Sequence, residues 1–491
     1  MKRHLVTTAI FVLLVSACAS AVPTPQADSP AIPLEDCVLT TPGFRTQVEA
    51  QCGTLSVFED PDAQAGRQIA LYIAVLPAVS RNAEADPLFL LAGGPGQAAT
   101  ETYVSLEPAF RQINRDRDIV LVDQRGTGQS HPLRCELPEE LSLDFEADLD
   151  QPLRECLNEL DADPRLYTTT IAMQDLDQVR QALGYEQINI YGVSYGTRAA
   201  LVYLRLYPDR VRALILDGVA PPQLTLGPAV ATDAQNALDQ ILERCAVDDM
   251  CSTSFPDLDG HVQNILSALE VAPRPVRLNH PVTGEPVELE FSREMFATVL
   301  RFHSYSPETA ALLPLLIHTA ATRQDYSLLA SQFLMLAGSF SESLADGMSY
   351  SVQCAEDVPF FEREVIQQAN QNTYLGNLVT DGLLEVCETW PRGEIPPDFK
   401  QPVASEVPVL LLSGEFDPIT PPAYAELAAE TLPNSLHLII PGQGHNVILR
   451  GCVPKIATAF IQSGSIQGLE TSCLQTIQPF PFFITFSGPQ P

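Results

Sequence analysis

The chain has 491 residues, 45% of them apolar, which is long for one simple domain and suits a core carrying a large insertion. Its 61 acidic residues against 28 basic ones leave a formal net charge of −33. That balance argues against nucleic acid and against an anionic membrane surface as electrostatically held partners. Most of the charge reads as surface solvation, with a long-range preference for cationic ligands.

The first residues read as an export signal. Lys2 and Arg3 precede an apolar stretch, Leu5 to Val15, that is too short to span a bilayer. Val15-Ser16-Ala17-Cys18 follows. It resembles the lipobox of bacterial lipoproteins, in which Cys18 would become the lipidated first residue and a membrane attachment. The alternative is ordinary signal cleavage after Ala19-Ser20-Ala21. Residues 1–18 are thus expected to be signal, and 19–34, rich in Ala, Pro and Ser, a flexible tether.

Ten cysteines remain once Cys18 is set aside: Cys37, Cys52, Cys135, Cys156, Cys245, Cys251, Cys354, Cys387, Cys452 and Cys473. An even number in an exported chain favours disulfides. Connectivity is open at this stage; pairing neighbours in order would close five short loops, each worth roughly 3 kcal/mol. With no C-x-x-C and His partners, a zinc site is not expected.

The strands begin at Gln68 to Leu76, an alternating and then apolar run. Residues 87–91 form a buried strand that leads into Gly93-Gly94-Pro95-Gly96. Residues 119–122 form another, ending in Asp123-Gln124-Arg125-Gly126-Thr127-Gly128. A helix fits 170–183, where Ala172, Leu176, Val179 and Leu183 share one face and Gly184 stops it. Ile188-Asn189-Ile190-Tyr191 is a buried strand, Gly192-Val193-Ser194-Tyr195-Gly196 a sharp turn, and residues 197–204 the start of a helix. Residues 211–216 complete the rhythm, with Asp217-Gly218 at the end. Buried strands alternating with helices predict an α/β fold whose mostly parallel sheet is covered on both faces.

The rhythm breaks at Pro221-Pro222 and resumes with strands at 407–412 and 436–440. The expected organisation is therefore a core in two parts, 35–221 and 401–491, around a mainly helical cap at 222–400. Two consecutive domains would not place the last two strands after the insertion.

The turn at Ser194 lifts a hydroxyl clear of the sheet and aims the following helix's amides at a developing oxyanion. A serine hydroxyl needs a base, and the base needs an acid to orient it. Of eight histidines, only His445 sits on a glycine-flanked loop beyond the final strand. His4 is in the signal, His131 precedes the serine and His437 lies in a strand, while His261, His280, His303 and His318 fall in the cap. Asp417, on the loop after 407–412, is the expected acid, with Glu415 as the alternative. Gly94 and Tyr195 are the expected oxyanion donors, because glycine and a proline-fixed loop allow backbone N–H groups close to a substrate oxygen.

Gly93-Gly94-Pro95-Gly96, Asp123-Gln124-Arg125-Gly126-Thr127-Gly128, Gly192-Val193-Ser194-Tyr195-Gly196, Asp417-Pro418-Ile419-Thr420-Pro421 and Gly444-His445 together resemble the serine aminopeptidases of the α/β-hydrolase fold, the proline iminopeptidase and tripeptidyl aminopeptidase relatives. The resemblance runs from about Thr54 to Cys473. Cys354-Ala355-Glu356-Asp357, with Cys452 and Cys473, is similar to the secreted tripeptidyl type. It implies a triad of Ser194, Asp417 and His445, with no metal or organic cofactor. One departure is Ala92, where many relatives carry His; the oxyanion donors are unaffected.

The expected activity is release of short N-terminal pieces from peptide substrates by an extracytoplasmic serine hydrolase. A carboxylesterase is the alternative, and a non-catalytic binding protein on the same fold the third reading. An aminopeptidase must hold a terminal ammonium. Glu356 and Asp357, adjacent acids near the cap's end, are the expected substrate-binding pair, with Glu356 favoured to project into the cleft.

Overall fold

The structure, a computed structural model, describes residues 32–488 except 42, 44, 136–144 and 146, with main chain only at 339–342. The expected signal, Cys18 and most of the tether lie outside the described residues. The tether's end is not free: Ile32 is buried against the sheet.

Nine strands form the main sheet: β1 (Glu35–Leu39), β2 (Val48–Phe58), β3 (Gln68–Leu76), β4 (Leu88–Leu91), β5 (Ile119–Val122), β6 (Ile188–Val193), β7 (Val211–Asp217), and, after the insertion, the strands Val409–Gly414 and Ser435–Ile440. Their spatial order is β1, β2, β3, β5, β4, β6, β7, then those last two. β1, β2 and β3 pair antiparallel, as do β3 and β5, and every later pairing is parallel. β4, β5 and β6 are buried at every position, as expected of strands covered on both faces.

The sequence reading starts the sheet at β3, two strands late. β1 and β2 are half exposed and mix polar with apolar residues, so no continuous apolar run marks them. Cys37–Cys52 clips one to the other.

Between β7 and the next sheet strand the chain is helical except for one hairpin, β8 (Arg274–Asn279) with β9 (Pro286–Phe291). With those two counted, Val409–Gly414 is β10 and Ser435–Ile440 is β11. The inserted segment has its own apolar core, built on residues such as Leu238, Phe296, Leu300 and Leu316. Phe480, Phe482 and Phe483, from the end of the chain, pack on this core, so the last part of the chain returns to the insertion. Five disulfides join the cysteines in sequence order: 37–52, 135–156, 245–251, 354–387 and 452–473. Among the described residues no helix is long and apolar enough to cross a membrane.

Candidate active site

Ser194 sits between the end of β6 and the helix Tyr195–Leu206, at φ 55° and ψ −125°. A non-glycine residue there is strained and persists only where its surroundings hold it. They do: Ser194 N–H donates to Asp217 O on β7 at 2.8 Å, and Ser194 O accepts from Thr197 Oγ1 at 2.6 Å. Gly196 makes the turn sterically feasible, since a Cβ at this position would lie 2.2 Å from Leu91 O. Any side chain would push the helix away from β4.

The loops after β10 and β11 bring Asp417 and His445 together. His445 Nδ1 lies 2.7 Å from Asp417 Oδ2. With the proton on Nδ1, Asp417 accepts it and Nε2 is left as a base. Asp417 Oδ1 also accepts the Ile419 and Thr420 N–H groups, each at 2.9 Å, and Oδ2 accepts Thr420 Oγ1 at 2.9 Å. Glu415 points elsewhere. Its Oε2 accepts Gly442 N–H at 2.7 Å, bracing the loop that leads to the histidine.

Burial alone would raise the Asp417 carboxyl, but the His445 charge, its hydrogen bond and the two loop amides hold it below the usual carboxylate value. For His445, burial acts downward and Asp417 outweighs it, with a smaller upward push from Asp217 and an opposing one from Arg301. The imidazole therefore stays protonated to higher pH than usual. A protonated ring cannot accept the serine proton, so kcat/KM should fall as pH drops through a midpoint above about 6.5. Asp417, already ionised, should add no second limb near neutrality. A kcat/KM profile from mildly acidic to mildly alkaline pH checks this, and a midpoint well below about 6 would contradict it.

Ser194 and His445 line one cavity of about 490 Å3, together with Gly94, Arg301, Tyr305 and Asn446. A second cavity of about 240 Å3 meets it at Gln97, Ser194, Ser343 and Asn446 and is also lined by Glu101. The cleft thus has two arms joined at the serine. Gly94 lines the larger arm, and Tyr195, as first residue of its helix, has an N–H with no acceptor in the preceding turn.

Glu356 and Asp357 do not project into this cleft, which corrects the sequence expectation. Both are buried, at 0% and 1% exposure. Glu356 accepts Thr169 N–H at 2.7 Å and Thr169 Oγ1 at 2.9 Å, and lies 3.7 Å from Arg198 Nη1. Asp357 accepts from Arg198 Nη1 at 2.8 Å, Lys400 Nζ at 3.0 Å and Leu226 N–H at 2.9 Å. The reason is electrostatic. Arg198 on the serine's helix is fully buried and needs counter-charge, which the two acids supply. Burial pushes Glu356 up to about 7, while Arg198 and Thr169 pull it down and Asp357 adds repulsion. The pair ties the inserted segment to the serine's helix. Thr169 Oγ1 in turn lies 2.7 Å from Tyr195 OH, which accepts from Gln124 Nε2 at 3.0 Å. Asp357→Ala should lower unfolding stability by about 3–5 kcal/mol by stranding Arg198, measured by urea denaturation. A loss below about 1 kcal/mol would contradict the linkage.

Three supporting residues escaped the sequence reading. Asp217 accepts Tyr191 OH at 2.9 Å and the Val447 and Ile448 N–H groups at 2.9 Å, fixing the chain just past His445. Burial raises it to about 6 despite those bonds. Gly218, at φ +70°, lets the imidazole approach; its Cβ would lie 2.9 Å from His445 Cε1. Tyr305, in the insertion, accepts His445 N–H at 2.7 Å on its main-chain oxygen and sets its ring edge-on to the imidazole. The available signal for Asp217 was an acid ending a buried strand. Asp123 follows the same pattern, accepting Thr100 N–H and Gln129 N–H at 3.0 Å at the tip of β5.

Residues 86–451 match the family described as the alpha/beta hydrolase fold. The serine protease Hip1 of Mycobacterium tuberculosis is 26% identical over 474 residues, covering 89% of this chain and 90% of that protein. The tripeptidyl aminopeptidase of Streptomyces lividans is 29% identical over 223 residues, 41% of each chain. The solved proline iminopeptidase of Mycobacterium smegmatis covers 84% of this chain and 98% of its own, at 16% identity and a TM-score of 0.42. With the matched region spanning both the elbow serine and the loop of His445, this chain belongs to the α/β-hydrolase fold family.

Proposed function

We propose that the protein is an extracytoplasmic serine hydrolase that releases short N-terminal pieces from peptides through an acyl-enzyme on Ser194. The observation that carries this reading is the 2.7 Å contact of buried Asp417 with His445, which lines the same cleft as the strained serine. In it, His445 Nε2 takes the Ser194 Oγ proton as Oγ attacks the substrate carbonyl. The Gly94 and Tyr195 N–H groups receive the oxyanion, and the imidazolium returns the proton to the leaving amine. Water activated by the same imidazole then releases the acyl piece. The proposal keeps the division into core segments 35–221 and 401–491 around a cap at 222–400. The five disulfides and the signal-like start support the compartment.

The relatives named a serine protease and a tripeptidyl aminopeptidase support a peptide substrate. With Glu356 occupied elsewhere, Glu101 takes its expected place. It is the one carboxylate among the described residues lining the two arms. Burial raises it, Asp123 adds repulsion and Arg134 opposes them. An ammonium in the smaller arm would be a suitable counter-ion. Acetylating the amine of a peptide substrate should cost roughly ten- to a hundredfold in kcat/KM, and Glu101→Gln should erase most of that difference. Equal hydrolysis of free and acetylated peptides by the wild type would instead favour an endopeptidase or the carboxylesterase reading, for which the apolar Phe302, Val379, Leu383 and Ile419 of the larger arm are the supporting feature.

A further inference from the structure

The larger arm carries a charge that the reaction does not use. Arg301 lies in the last turn of the helix Arg293–His303, whose Met295, Phe296, Val299 and Leu300 are buried in the insertion's core. Arg301 and Phe302 are on the cleft side and line the cavity with Ser194 and His445. The guanidinium carbon is 5.1 Å from the Phe302 ring centre, and Nε is buried with no hydrogen-bond partner. The phenol of Tyr305 hydrogen-bonds with the guanidinium, that of Tyr374 feels its charge, and burial keeps both of them neutral. Among the described residues no carboxylate forms an ion pair with it. Its charge reaches the imidazole, where it opposes protonation of His445.

A helix C-terminus alone would account for an arginine in the last turn, but not for one held in a cleft with a buried, unpaired Nε. Many arginines elsewhere in the chain, such as Arg125, Arg198 and Arg450, take acidic partners, while Arg205 takes main-chain carbonyls and Arg244, away from the cleft, is buried against Phe416 and Phe482. In a chain with so large an acidic excess, an arginine left without a carboxylate beside the nucleophile is open to one from outside. The planar guanidinium presents a fork of N–H donors that fits a carboxylate in two-point contact. The net negative charge does not prevent this, because at physiological salt the field of distant surface charges is screened beyond about 8 Å.

We propose that Arg301 forms a carboxylate-binding subsite in the larger arm, so that the enzyme selects peptides carrying an anionic group there. This rests on the reading of Ser194 as the nucleophile for peptides. The anion has two sources, the free C-terminus of a short peptide or an aspartate or glutamate side chain. With Glu101 in the other arm, a substrate would lie with its amino end in the smaller arm and its carboxylate in the larger.

The test uses the full mature chain and short peptides in matched pairs: free acid against C-terminal amide, and Glu against Gln at each position. Turnover is followed by mass spectrometry, and binding to Ser194→Ala by calorimetry. The expected result is a preference of about ten- to a hundredfold for the anionic member of one pair, in kcat/KM and in binding. Arg301→Gln should abolish the ratio between the anionic and the neutral member, read at alkaline pH where His445 is neutral in both proteins and, for binding, on the Ser194→Ala background, and Arg301→Lys should restore part of it. Preference confined to the acid–amide pair identifies the C-terminus, and preference confined to Glu over Gln identifies a side chain. The wild type alone decides if Arg301→Gln does not fold: no preference in either pair overturns the subsite. A preference that survives Arg301→Gln overturns the assignment to Arg301. If no peptide is turned over, the hydrolytic reading fails, and the calorimetric preference on Ser194→Ala still tests the subsite.

Discussion

Ser194→Ala is expected to lower turnover by on the order of a millionfold while leaving substrate binding nearly unchanged. The hydroxyl is the only group placed to form the covalent bond in this scheme, and its loss leaves the oxyanion donors and both arms of the cleft intact. Alanine fits the strained turn no worse than serine sterically, since Thr197 and Asp217 contact the main chain of Ser194 rather than its hydroxyl. The variant should therefore fold and bind. A single-turnover experiment with a peptide or ester substrate separates the steps: binding should persist and no acyl-enzyme should accumulate. Residual turnover above about one part in ten thousand would show that another nucleophile operates.

The second large effect concerns the acid. Asp417→Asn should cost roughly four orders of magnitude in kcat. Asparagine is nearly the same size, and its carbonyl oxygen can still accept the Ile419 and Thr420 amides. Its neutral side chain stabilises the imidazolium far less, and its NH2 group competes for the Nδ1 position. Glu415→Gln should be mild by comparison, because Gln Oε1 can still accept Gly442 N–H. If Asp417→Asn remains active while Glu415→Gln is dead, the acid has been misassigned.

Most of the strands that were legible in the sequence share one property, continuous burial; β3 and β11, legible too, are partly exposed. β4, β5, β6, β7 and β10 are apolar runs because helices cover both faces, and Ser194 and Asp417 lie just past the ends of β6 and β10. Glycine at the elbow and around His445 reports close backbone approach, and that too is written locally. What was not legible depends on partners distant in the chain. β1 and β2 lack a run because each is half exposed. Glu356 and Asp357 read as free acids because nothing local reveals that Arg198 on the serine's helix and Lys400 beyond the insertion's last helix converge on them. The direction of those two carboxylates was set by the cost of burying Arg198 unpaired, a term that spacing does not carry. Arg301 stood out no more than any other basic residue until its surroundings were seen. Asp217 is intermediate: its position at a strand end is visible, but its grip on Val447 and Ile448 is not.

The most direct test of the central claim is to locate the covalent adduct formed by a fluorophosphonate probe. The mature protein is labelled, digested and sequenced by mass spectrometry, alongside Ser194→Ala and an Asp417→Asn variant. The account predicts one adduct on Ser194 in the wild type, much slower labelling of Asp417→Asn and none of Ser194→Ala. An adduct on any other residue, or undiminished labelling of Ser194→Ala, would contradict it.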